Sequence, residues 1–186
     1  MESSKKQYEP IISRIFEKAP GAVILTDPNV TADAFVDDLL TRFGDIFKQE
    51  SYLPVRVNGA DYKDSFSTWK GIASSIKVAL DAVFPETMTL KTHWEKIENA
   101  PSSMEIKSVL QRIFQYVSKN SEWSIILFLE NFEDIMHNMP YSDVFKLREM
   151  DSYLALFTIS HEHPIQLGEK FFKNDYYCNQ FVFFTV

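Results

Sequence analysis

AVILTDPNVTADAFVDDLL, residues 22 to 40, is the stretch whose reading decides the fold. Its first five residues form an unbroken apolar run of strand length, the pattern of a strand covered on both faces. Asp27, Pro28 and Asn29 make a turn, and Thr31 is placed to N-cap a helix. From there Phe35, Leu39, Phe43 and Phe47 recur every four residues, giving one apolar stripe on a helix that runs to about residue 48. A buried strand, a tight turn and an amphipathic helix make up the repeating unit of an α/β sheet.

The same alternation extends outward. Residues 7 to 18 read as a helix with Ile11, Ile12, Ile15 and Phe16 on one side, stopped by Pro20-Gly21. LPVRVNG at 53 to 59 is a second strand, closed by the turn dipeptide Asn58-Gly59. SFSTWKGIASSIKVAL comes next as a helix with Phe66, Trp69, Ile72, Ile76 and Leu80 facing inward. Residues 84 to 101 read as a connection with little regular structure. The next helix starts at Ser102 or Ser103, with Glu105 placed to close a capping box. SIILFL at 124 to 129 is the strongest strand of the chain. A loop and helix lead to a strand at 153 to 160, a short helix at 164 to 173 and a last strand, QFVFFTV. Five strands alternating with helices predict a three-layer α/β sandwich with a mostly parallel sheet and right-handed crossovers. The whole chain, 1–186, is expected to be one domain: residues 1–20 an N-terminal helix, residues 21–186 the core. Ligands of such sheets bind at the carboxyl ends of strands, here 26–34, 58–62, 129–134 and 158–164.

Composition narrows the function. A net charge of −7 over 186 residues disfavours broad contact with phosphate backbones, which are bound by Lys and Arg. Direct nucleic-acid binding is therefore not expected. Cys178 is the single cysteine, so no internal disulfide forms and a reducing, cytoplasmic setting fits. The N-terminus has no apolar run of the signal-peptide kind, and SIILFL is too short to span a bilayer.

The turn after the first strand has the setting of a phosphate-binding loop without its residues. That motif asks for Gly, four residues, Gly, Lys and Ser or Thr. The same slots hold Asp27, then Pro28 to Thr31, then Ala32, Asp33 and Ala34. A working loop presents backbone N–H groups, a helix N-terminus and a lysine to phosphate. Here Asp33 puts a negative charge where the lysine belongs, and Asp27 adds another. Ala34 lacks the hydroxyl that binds Mg²⁺.

A second strand end carries a related pattern. SIILFLENFEDI resembles a Walker B segment of P-loop NTPases, an apolar run followed by two acids. The resemblance implies a Mg²⁺-holding role for the first acid and a water-orienting role for the second. Glu130 stands in the first place and Asn131 in the second, and an amide is no general base. Further on, Leu147-Arg148, the strand from Tyr153 to Ser160 and Pro164 resemble the signal-transduction ATPases related to AAA+ proteins, the STAND group. The resemblance runs from about Gly21 to Val186. It implies a P-loop NTPase-like fold that has lost its chemistry, with no cofactor, no catalytic residues and no C-terminal lid after the last strand. A natural partner, by resemblance, is an intact ATPase of the same group. The leading expectation is a catalytically inactive interaction or regulatory subunit.

Two other classes stay open. An atypical nucleotide switch or weak NTPase needs the 27–34 backbone to hold phosphate without the lysine. A metal-dependent hydrolase of unrelated α/β type would use Glu130, Glu133, Asp134 and His161, since carboxylates suit Mg²⁺ or Ca²⁺; His161 and His163 are also weak candidates for a zinc site. Solvated loop and helix-start charges explain the same residues. Arg148 is placed to reach a phosphate or a neighbouring subunit, or to pair with Glu149 or Asp151. The oligomeric state is not written in the sequence.

Overall fold

The computed structural model describes residues 3–17, 19, 21–27, 29–140, 142–143, 146–147, 150, 154–161 and 183–185. Its sheet contains four full strands: β1 (Gly21–Leu25), β2 (Tyr52–Asn58), β3 (Ser124–Glu130) and β4 (Leu154–Ser160). A three-residue segment, β5 (Phe183–Thr185), pairs beside β1 at one edge. The order is β2-β3-β4-β1-β5 and every pairing is parallel. The last strand, expected over seven residues, is thus described for three. The expected helix at 164 to 173 lies outside the described residues.

Parallel strands need crossovers, and the helices supply them on both faces. On one face α1 (Ser3–Phe16) and α2 (Ala32–Gln49) pack on Ile24, Ile126, Phe128, Phe157 and Ile159. On the other, α3 (Ser65–Asp81), α4 (Met88–Glu98), α5 (Ser103–Asn120) and α6 (Phe132–Asn138) cover Val55, Val57, Leu127, Leu129 and Leu156. The two cores share the sheet because β3 and β4 are buried along their whole length, odd and even residues alike. That is why their sequences read as apolar runs and not as alternation.

Caps set the helix starts. Thr31 Oγ1 accepts from the Ala34 amide, Ser102 Oγ from Glu105, and Asp64 forms a full capping box with Ser67. The Ser102 cap holds, although the reciprocal Glu105 bond is not seen. One expectation is overturned: residues 84–101 are not a loose connection. Thr87 caps α4, and Leu90, Trp94 and Ile97 recur at helical spacing and are buried. The polar residues between them hid a period that three apolar positions carry. A second correction concerns Phe66, which faces outward, 36% exposed, with the Lys70 ammonium 5.1 Å from its ring.

Candidate functional site

The carboxyl ends of β1, β2, β3 and β4 form one row, and their polar side chains bind one another. β2 and β3 pair in register, with Arg56 opposite Phe128 and Asn58 opposite Glu130. Side chains two apart on a strand share a face. Val55 and Val57 point to the α3 side, so Arg56 points to the α2 side, as does Glu130 beyond Phe128. The guanidinium therefore reaches Glu130 diagonally. Arg56 Nε donates to Glu130 Oε1 at 2.5 Å and Nη2 to Oε2 at 2.9 Å, a bidentate pair. The remaining donors rise to α2: Nη1 bonds the Asp37 carboxylate, and Nη2 lies 3.4 Å from the Asp33 carbonyl oxygen. The Glu130 bond, opposed by burial and reinforced by Asp37, raises the Arg56 pKa above its already high ordinary value.

The carboxylate in the Walker B-like place is thus buried, 2% exposed, and both its oxygens are taken by an arginine of its own chain. Next to it, Asn131 adopts left-handed backbone angles, φ 48° and ψ 58°. Its side-chain amide donates to Asn58 Oδ1 at 2.8 Å, and its carbonyl accepts the Asp134 amide at 3.0 Å. Gly59 is required here. A Cβ on it would stand 2.5 Å from the Asn131 carbonyl oxygen and 2.6 Å from Ile135 Cγ1.

The turn after β1 closes on itself. Asp27 Oδ1 accepts from the Asn29 backbone N–H at 2.8 Å and from its side-chain amide at 2.7 Å, while Val30 N–H donates to the Asp27 carbonyl. Those bonds hold the Asp27 carboxylate below the usual range, with the backbone bond the larger cause. The Ala34 amide is engaged by Thr31, and Ala32 is buried. Asp33 is exposed in the first turn of α2, a favourable place for an acid beside the helix dipole. The N–H groups of Asn29, Val30 and Ala34 are thus bonded within the turn. Pro28 lies outside the described residues.

The other expected site residues do not converge on one point. Glu133 accepts from Ser160 Oγ at 2.6 Å and from the His161 amide, and His161 Nδ1 lies 2.9 Å from Thr26 Oγ1. These bonds tie the ends of β1 and β4 to α6. Asp134 sits beside Glu133 in the first turn of α6. Among the described residues no three His, Cys, Asp or Glu side chains are grouped as metal ligands. His163, Arg148 and Cys178 lie outside the described residues; Leu147 is fully buried. Sequence reasoning missed Arg56. Its signal was present: a lone cation between Val55 and Val57 in a buried strand needs a counter-charge.

Neither a protein-family profile nor a curated protein matches the sequence. Among the described residues no helix is long and apolar enough to cross a membrane. Solved structures do match in fold. The chain is similar to the Aeropyrum pernix ORC1 protein, solved in complex with DNA: TM-score 0.67 at 12% identity, covering 99% of this chain and 44% of that one. It is similar to the Aeropyrum pernix ORC2 protein, solved with ADPNP and ADP: TM-score 0.66 at 10% identity, covering 100% and 47%. A chain of Drosophila ORC bound to AT-rich DNA and Cdc6 gives TM-score 0.60 at 13% identity, covering 100% and 54%. The chain therefore spans about half the length of these proteins, and at such identity the likeness is one of fold alone: an α/β domain with a parallel sheet like theirs.

Proposed function

We propose that this chain is a catalytically inactive P-loop NTPase-like domain that works as an interaction or regulatory subunit, in an assembly with an intact ATPase of AAA+ or STAND type. The observation that carries it is the Arg56–Glu130 pair. A Walker B acid must be free to hold the shell of a Mg²⁺ ion, and here a guanidinium of the same chain already neutralises it from the next strand. A cation at that position would meet a fixed positive charge. The self-bonded Asp27 turn supports the same reading, since phosphate would face a carboxylate and engaged amides. The comparison proteins include chains of a multi-subunit assembly, Drosophila ORC with Cdc6, which gives the partner proposal its form.

Two measurements test it. Purified protein should show no melting shift with millimolar ATP or GTP and Mg²⁺, because a ligand of the native state must stabilise it. It should also release no phosphate above background. ATP turnover that is lost in Glu130→Gln while the variant stays folded would overturn the proposal.

A further inference from the structure

β2 reads YLPVRVN, with a proline inside a strand that pairs along its whole length. Pro54 has no backbone N–H, so on the side of a neighbouring strand it would delete a rung of the ladder. β2 ends the sheet, with β3 on one side and, among the described residues, no strand on the other. One bond fixes which side Pro54 faces. The Ser51 carbonyl accepts the Ser124 amide. Backbone groups of successive residues alternate between the two edges of a strand, so those of 51, 53, 55 and 57 face β3. Tyr52, Pro54, Arg56 and Asn58 turn theirs to the open edge. The missing N–H therefore belongs to the middle of the outer row and removes no bond from the sheet.

An open edge invites a further strand, and proteins blunt it with short strands, edge charges, bulges or proline. β2 is seven residues long, and its register runs unbroken from Tyr52 opposite Ser124 to Asn58 opposite Glu130. Its one charge is engaged elsewhere, since Glu130 and Asp37 hold the Arg56 guanidinium. Val55 and Val57 favour strand pairing. Of these devices β2 keeps the proline. We propose that Pro54 closes the outer edge of β2 to strand addition, and that the strand it rejects is β2 of a second copy of this chain. A two-fold axis would set β2 antiparallel to itself. With Tyr52 opposite Arg56 of the other copy, Pro54 stands opposite Pro54, and both hydrogen bonds of that central pair are missing. The proposal involves no nucleotide chemistry and stands or falls apart from the inactive-domain reading.

Sedimentation velocity over a concentration series tests it on the native chain, Pro54→Val and Pro54→Thr. Both substitutions restore the central amide, and only valine adds a fully apolar side chain. Each variant should self-associate at least tenfold more tightly than the native chain, as one further step beyond whatever assembly the native chain forms. Both should stay folded, since a proline at a compatible position contributes only modestly, through the unfolded chain. Amide hydrogen exchange gives a second readout. In the native chain the Tyr52 and Arg56 amides should exchange at least tenfold faster than those of Leu53, Val55 and Val57, and both should slow as the variants associate. Folded variants that associate no more than the native chain would overturn the proposal, as would association of the valine variant alone. So would native Tyr52 and Arg56 amides as protected as that of Val55, which would mean a covered edge. A variant that does not fold would assign Pro54 to the fold itself and overturn it too.

Discussion

Replacing Arg56 by Met should destabilise the chain far more than replacing Glu130 by Gln, although each removes one side of the same pair. The asymmetry comes from exposure. The Glu130 side chain is 2% exposed and that of Arg56 32%. Arg56→Met leaves a carboxylate under α2 with neither water nor a counter-ion. Stranding one member of a buried pair costs about 3–5 kcal/mol. Because Arg56 is a third exposed, water that enters behind the lost side chain brings the expected figure to the lower end, about 3 kcal/mol. At roughly 2–4 °C per kcal/mol for a chain this long, Tm should fall by at least about 6 °C. Glu130→Gln instead leaves a cation that reaches solvent and keeps its Asp37 contact, with a side-chain carbonyl still available to accept. That loss should be about 1 kcal/mol, the scale of one hydrogen bond. The double variant Arg56→Met/Glu130→Leu should recover most of the loss, since apolar replacement of a buried pair is often neutral. Urea unfolding of the four proteins, read by circular dichroism, measures all of this. Equal losses in the two single variants, or a double variant as unstable as Arg56→Met, would refute the view that Arg56 serves to neutralise Glu130.

Three further outcomes are expected. Thr158 Oγ1 is buried in β4 with no hydrogen-bond partner among the described residues, so Thr158→Val should stabilise by about 1 kcal/mol in the same urea assay. Gly59→Ala must displace the Asn131 backbone, and thermal melts should show a loss of about 1–3 kcal/mol; an unchanged melt would mean that the 59–61 turn moves freely from α6. Burial first, then Lys96 and Arg112, push the His93 pKa below its ordinary 6.5. As pH falls from neutrality the unfolded chain takes up this proton before the folded one does, so stability should drop from about pH 6.5 downward. His93→Gln should flatten that part of the stability–pH curve and leave the neutral region nearly unchanged.

Strong apolar patterns were legible and weak ones were not. AVILT, SIILFL and the Phe35–Phe47 stripe fixed β1, β3 and α2 to within a residue or two, because burial on both sheet faces or one helix face leaves a period in the residues themselves. α4 escaped because its three buried residues are separated by Lys, Thr, His and Glu. Its N-cap at Thr87 comes directly after the short connection 82–86. The candidate site was legible in a different sense. Asp27, Asp33, Ala34 and Asn131 state in one dimension where the chain departs from the phosphate-binding motifs. They do not state what holds the vacated strand ends together. That takes a diagonal contact between residues 74 positions apart, and no local pattern encodes it.

The diagonal contact changes what the sequence substitutions mean. Lost motif residues alone would leave an acid at the end of β3 that a borrowed cation from a partner could still recruit. Arg56 already occupies that acid: it binds it with both prongs and continues to α2, so the same guanidinium joins β2, β3 and the helix beyond the turn. Asn131 to Asn58, Glu133 to Ser160 and His161 to Thr26 close the rest of the row. A nucleotide site needs its polar groups pre-organised and unsatisfied until the ligand arrives. Here they satisfy each other, which favours a rigid scaffold at these strand ends.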